Sequence, residues 1–204
     1  MKKPENTSFI KNSQQDNLRS IAIIVCAIIT GVSGFFSFYI EDSFFPFTFQ
    51  NLFCLMFAGI IGGISGAAVS GITLMLGALG LPFFSFGSSG AICLSGETGG
   101  FLIGYFIASL FIGIFLGKPN PEKTSFKKII FSMFVGFVLI YLVGIFQYFK
   151  VTKIGFSILT IENLLYRTIP LFIGDLVKLI IASIATYFLR PLSAKYFYEQ
   201  IRNN

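Results

Sequence analysis

Gly77-Ala78-Leu79-Gly80-Leu81-Pro82-Phe83-Phe84-Ser85-Phe86-Gly87-Ser88-Ser89-Gly90-Ala91-Ile92-Cys93-Leu94-Ser95-Gly96-Glu97-Thr98-Gly99-Gly100-Phe101-Leu102-Ile103-Gly104 sets eight glycines, one proline and one acid between long apolar runs. A plain membrane span is not written this way. Glycine at this density lets the backbone take positive φ and approach other groups closely, while Pro82 removes an N–H and ends the helix leading into it. At membrane depth such irregular backbone is tolerated where protein covers it or where it lines a cavity. The stretch is therefore read as the wall of a site, with the glycines of 96–100 at a helix start, where free N–H groups can meet an anionic or carbonyl oxygen. The plainer alternative is a loop joining two helices.

Outward from this stretch the chain is a membrane protein. Residues 43–96 hold no Asp, Glu, Lys or Arg, and only 12% of the 204 residues are charged, about half the share of soluble domains. Apolar runs predict an all-α bundle of six transmembrane helices in a single membrane domain, 1–204, with approximate spans 20–40, 51–66, 67–81, 99–116, 129–149 and 168–189. The first span is read as uncleaved, being longer than a signal-peptide core. Glycines at 59, 62, 63, 66, 71 and 77 are read as surfaces for close helix approach in the second and third spans.

Orientation follows from the basic residues. Lys2, Lys3, Lys11 and Arg19, then Lys118, Lys123, Lys127 and Lys128, then Arg190, Lys195 and Arg202 fall on one side of a six-span chain, against Lys150, Lys153 and Arg167 on the other. Both termini are therefore expected in the cytoplasm of a multi-pass cell-membrane protein. The net charge of +6 is thus an orientation signal, and no nucleic-acid partner is expected.

Chemistry is sparse. The chain has no histidine, and Cys26, Cys54 and Cys93 stand singly, so neither a disulfide framework nor a metal site is expected. Gly63-Ile64-Ser65-Gly66 and Gly87-Ser88-Ser89-Gly90 look like the nucleophile pattern of intramembrane serine proteases, but no histidine can take the hydroxyl proton. Gly113-Ile114-Phe115-Leu116-Gly117-Lys118 falls one residue short of a phosphate-binding loop and is followed by Pro119. No enzyme and no resident cofactor is expected. What remains is Asp175 and Lys178, charged residues inside the sixth span and on one helix face at i, i+3. Intramembrane charges are costly and mark function, with Gly174 and Pro170 read as opening the backbone beside them. The alternative is a structural pair in a non-transporting scaffold or assembly protein.

Three segments, in order, resemble the BioY family, the biotin-binding substrate subunits (S components) of energy-coupling-factor transporters. Pro46-Phe47-Thr48-Phe49-Gln50-Asn51-Leu52 is similar to the family's Pro-x-Thr-x-Gln segment. Gly80-Leu81-Pro82 through Gly96-Glu97-Thr98-Gly99-Gly100-Phe101 is similar to its Gly-Leu-Pro to Gly-Pro-Thr-Gly-Gly-Tyr signature, with Glu97 and Phe101 in place of proline and tyrosine. Pro170 to Lys178 is similar to its Pro-Gly-Asp-x-x-Lys segment. The resemblance implies biotin capture from outside, with Asp175, Lys178, Thr98, Gly99, Gly100, Gln50 and Gly90 at the ligand. It also implies a transmembrane coupling subunit and two ATPase subunits as partners, ATP being used by them alone. In that family the first helix docks by an Ala-x-x-x-Ala face, whose nearest equivalents are Ala22 with Cys26, or Ala27 with Gly31.

Overall fold

The computed structural model describes residues 5–40, 43–122, 124–153 and 158–198. Helices account for most of them: α1 (Glu5–Val32), α2 (Gln50–Ile61), α3 (Gly63–Ala78), the single-turn α4 (Ile92–Ser95), α5 (Gly99–Leu116), α6 (Phe126–Thr152) and α7 (Ile158–Phe197). Between α1 and α2 two short strands, β1 (Ser37–Phe38) and β2 (Phe47–Thr48), pair antiparallel with Ser37 opposite Thr48. Among the described residues four stretches are long and apolar enough to cross a membrane, 14–35, 99–116, 126–152 and 162–197. The helices α2 and α3, with 12 and 16 residues, are apolar but shorter.

The expected spans move at several boundaries. The fourth holds at 99–116, but the second and third are divided at Gly62–Gly63 and not at Gly66. Both turn glycines have positive φ, 67° and 57°, which glycine alone adopts without strain. A Cβ at Gly62 would lie 2.3 Å from the Gly117 carbonyl, and the Gly63 N–H donates to that same oxygen at 3.1 Å. The first helix ends at Val32, not at 40, because the chain turns there through a 3-10 segment into β1. The sixth runs far past its expected limits in both directions, through Pro170 and Pro191.

Arg190, counted in the sequence only as an orientation charge beyond the sixth span, is a buried part of α7. It is 1% exposed, and its guanidinium donates to the carbonyls of Gly59, Leu116 (2.7 Å) and Gly117 (2.9 Å) and to Thr124 Oγ1 at 3.1 Å. These carbonyls belong to the C-terminal turns of α2 and α5, which lack helical partners and carry the negative end of the helix dipole. Tyr198 adds a hydroxyl bond to Ile61 O at 3.1 Å, and its ring lies under Arg19. The ends of α2, α5 and α7 and the middle of α1 at Arg19 therefore meet at one end of the bundle, with the turn at 62–63 and residues 117–122.

A central core of Leu55, Ala58, Ala108, Ile112, Met133, Phe137, Ile140 and Leu179 joins α2, α5, α6 and α7. A second, of Ala27, Ile61 and Val69, seats α1 on α2 and α3. Small residues bring the helices close: a Cβ at Gly100 would meet Val143 O at 2.6 Å, and one at Gly104 would meet the Ile140 backbone at 3.0 Å.

Replacing Arg190 by alanine leaves the buried Gly59 and Leu116 carbonyls without its guanidinium, at about 1–3 kcal/mol each, while the Gly117 carbonyl keeps the Gly63 N–H. We expect Arg190→Ala to lose at least about 2 kcal/mol in thermal melting of the detergent-purified protein, and Lys195→Ala, at an exposed site, to stay within about 0.5 kcal/mol. Equal melting of the two would remove the clamp from this account.

Candidate functional site

At the opposite end of the bundle the β1–β2 turn and the glycine-rich stretch 77–104 fold over a narrow cavity. Its walls are Phe45, Pro46, Thr48, Asn51, Ser85, Thr98, Phe101, Leu102, Tyr105, Ile140, Tyr141, Leu171 and Asp175. As the rings stand the cavity measures about 40 Å³, room for a water or two. Phe45 closes it, its ring centroid 4.7 Å from that of Phe101 and 5.1 Å from that of Tyr148. The walls are mostly aromatic and aliphatic, with polar groups from Thr48, Asn51, Thr98, Tyr105, Tyr141 and Asp175.

Asp175 is the charged residue of that lining. Its Oδ2 accepts the Tyr141 hydroxyl at 2.8 Å and its Oδ1 accepts Lys178 Nζ at 2.7 Å, which leaves lone pairs on both oxygens for a further donor. Lys178 does not line the cavity. It is 4% exposed, and besides Asp175 it donates to Thr48 O at 2.5 Å and Asn51 Oδ1 at 3.3 Å. An ammonium has three donors, and all three are taken; the ring of Phe47 lies against it, 3.2 Å from Nζ to centroid. The i, i+3 pair seen in the sequence thus divides: Asp175 faces the cavity, and Lys178 ties α7 to β2 and α2 behind it. Gly174, expected to open the backbone, instead admits Phe47, whose ring would lie 2.5 Å from a Cβ there.

The glycine-rich stretch does supply part of the wall, through Ser85, Thr98, Phe101 and Leu102. Its backbone is satisfied from within and by two amides. Gln50 Nε2 donates to Phe83 O at 2.5 Å, and Gln147 Nε2 donates to Leu94 O at 2.6 Å and Gly96 O at 2.9 Å. Gln50 therefore holds the loop and lies outside the lining. Gly90, at φ +95°, makes a turn whose N–H bonds Gly77 O. The Gly99 N–H is spent on Gly96 O at 3.1 Å, while Gly99 and Gly100 are buried against Leu94 and α6. Of the seven expected ligand residues, Asp175 and Thr98 reach the cavity and the other five build its frame. On α1, Ala27 and Gly31 point inward, Ala27 O accepting Thr73 Oγ1 and Gly31 abutting Phe83, so they present no surface to another subunit. Ala22 and Cys26 are half-buried.

Sequence reasoning did not single out Tyr141, Tyr105, Asn51 or Gln147. The hairpin of β1 and β2 was not foreseen either, residues 46–52 being read as a segment leading into the second span, and a lone Tyr or Gln in an apolar helix carries no local mark of what it faces. Glu97 is exposed, away from the lining, so the acid in place of proline does not enter the cavity.

If Lys178 holds Thr48 and Asn51 as well as Asp175, then Lys178→Met should cost about 3–5 kcal/mol, and adding Asp175→Leu should restore only part of it. Thermal melting of the single and double variants measures this; complete recovery would mean that the Thr48 and Asn51 bonds carry no stability.

The model of the BioY family matches residues 6–195. The biotin transporter BioY of Thermotoga maritima is 30% identical over 157 residues, which cover 74% of this chain and 83% of that protein. That of Rhizobium etli is 30% identical over 144 residues, 68% of this chain and 74% of the relative. The crystal structure of an S-component for biotin from an ECF-type ABC transporter superposes with a TM-score of 0.75 at 21% identity, over 90% of this chain and 97% of the other. This chain belongs to the BioY family.

Proposed function

We propose that the protein captures biotin as the substrate-binding membrane subunit of an energy-coupling-factor transporter. The observation that carries this is the aromatic cavity with Asp175 and Tyr141 at its inner end, in a chain whose relatives are named biotin transporters. Biotin has a neutral ureido ring with N–H donors, an apolar bicycle and a carboxylate tail. An apolar box with a carboxylate acceptor inside suits the ring, the donors being read by Asp175 and the body by Phe45, Phe101 and Ile140. Thr98 and Tyr105 add hydroxyls at the wall. Because the cavity is nearly filled, entry requires the Phe45 ring to leave Phe101 and Tyr148, so binding includes a movement of the 43–46 turn.

In this reading α2 and α3 are the second and third of six crossings. At 1.5 Å per residue they span about 18 and 24 Å, short of the roughly 30 Å hydrocarbon core; the hairpin and the loop 79–98 fill the remaining depth on the cavity side. Both termini are cytoplasmic, which the basic residues near Arg190 and in 118–128 support. The coupling subunit and two ATPase subunits supply transport energy, and ATP is bound by them. The exposed Ile21, Val25, Ile28, Ile29 and Val32 of α1, with half-buried Ala22 and Cys26, form the face available for docking. A scaffold role for the Asp175–Lys178 pair explains Lys178 but not an acceptor turned into a cavity.

Labelled-biotin binding to the detergent-purified protein tests the proposal, with Asp175→Asn expected to weaken it by about 1.5–3 kcal/mol. At a hundred times Kd biotin should also stabilise the fold by about 2.7 kcal/mol. Failure of biotin to bind or to raise the melting temperature would end this reading. Reporter fusions after residue 198 and near Gly87 should give opposite signals, and the same signal from both would refute six crossings.

A further inference from the structure

Lys178 cannot meet a carboxylate without giving up a protein oxygen, and among the described residues the cavity lining contains no cation. An anion pushed toward Asp175 would also face a like charge. The cation for an acidic ligand must therefore lie elsewhere.

Arg167, Leu171 and Asp175 fall at i, i+4 and i+8 on α7, one stripe of a continuous helix. Leu171 and Asp175 both line the cavity, so Arg167 stands one turn beyond Leu171, about 12 Å from Asp175 along the axis at 1.5 Å per residue. Its guanidinium lies over the Phe44 ring at 4.8 Å. Phe44 in turn leans on Tyr148 at 5.9 Å, whose ring also meets the closing residue Phe45 at 5.1 Å. Arg167 is thus seated on the aromatic rim of the mouth. It is half-buried, its Nε donates to Asn163 Oδ1 at 3.4 Å, and its two terminal nitrogens have no acceptor among the described residues.

We propose that Arg167 receives the carboxylate of the ligand at the mouth, which fixes the ligand's direction: ring inward at Asp175 and Tyr141, aliphatic chain along Leu171 and Phe45, acid outward. This rests on the biotin reading above. Biotin carries its acid at the far end of an extended aliphatic chain from the ring, matching the separation of Asp175 and Arg167 on the stripe. The guanidinium fork can take both carboxylate oxygens, and Phe44 beneath it holds its plane. Glu97 is an acid on the same side, near enough that both it and Arg167 act electrostatically on Tyr148, so a cation there also offsets its repulsion of an incoming anion.

The test compares biotin with biotinamide, which replaces the carboxylate by a neutral amide, in titrations of the purified protein. The unaltered protein should prefer biotin by about ten- to a hundredfold. Arg167→Gln should lower biotin to the level of biotinamide while leaving biotinamide within about threefold of its original affinity, with Arg167→Lys recovering part of the preference. Lys178→Met, assayed at a temperature where melting shows it folded, should still prefer biotin. Equal weakening of both ligands by Arg167→Gln, or a preference that survives in Arg167→Gln and vanishes in Lys178→Met, overturns this assignment and leaves biotin capture standing. Absence of biotin binding by the unaltered protein overturns both.

Discussion

Two buried cations on one helix hold this molecule together. Lys178 and Arg190 lie about 18 Å apart along α7 at 1.5 Å per residue, and each is spent on oxygens of other elements: Lys178 on Thr48, Asn51 and Asp175, Arg190 on the ends of α2 and α5 and on Thr124. Burying a charge is costly unless every donor is met. Once met, the charge cannot move without exposing several polar groups, so each cation fixes where its partners stand. Between the two, the register of α7 against α2 is set at both ends, which is what a site assembled from α5, α6, α7 and a hairpin requires. Helices that meet only lipid and one another have little hydrophobic force to align them; polar bonds of this kind supply the direction.

The membrane class, the helical bundle and the presence of Asp175 within an apolar helix were legible in the sequence for one reason: in an apolar background a charge or its absence is easy to read. The same reasoning did not show what Lys178 and Arg190 hold. A lysine three residues from an aspartate reads as a partner for that aspartate or for a ligand, and nothing local indicates that Thr48 O and Asn51 lie against it. Arg190 stands at the end of an apolar run, where a charge ordinarily meets water, and only the approach of the Gly59, Leu116 and Gly117 carbonyls explains its burial. Helix limits failed for a related cause. Hydropathy marks where apolar residues end, whereas the turn at Gly62–Gly63 is set by positive φ and by the Gly117 carbonyl beside it.

The glycine-rich stretch behaves as its composition implied, though by a different division of labour. Its backbone leaves helical form between α3 and α5, and the exposed peptide groups are answered by two glutamines, Gln50 from α2 and Gln147 from α6. The loop is thereby pinned from two sides, and its glycines serve turns and close packing. Ser85 and, at the far end, the side chains of Thr98, Phe101 and Leu102 are what the cavity sees. A residue can thus belong to a binding motif because it shapes the wall, without touching what the wall encloses.

This arrangement also limits how the cavity can open. Thr48 is fixed to Lys178 through its carbonyl, and Gln50 and Asn51 just beyond it are buried, so the base of the hairpin is anchored. Phe45 is held differently, by ring contacts with Phe101 and Tyr148 that are dispersive and can be exchanged for contacts with a ligand. Arg167 over Phe44 sits on the same turn. In the binding reading proposed above, residues 43–46 are the part that would move, with Thr48 as their anchor. A ligand that replaces the Phe45 ring contacts inside and engages Arg167 at the rim recovers both sets of interactions that opening gives up. An uncharged molecule of the same shape recovers only the first, and closure over it is correspondingly weaker.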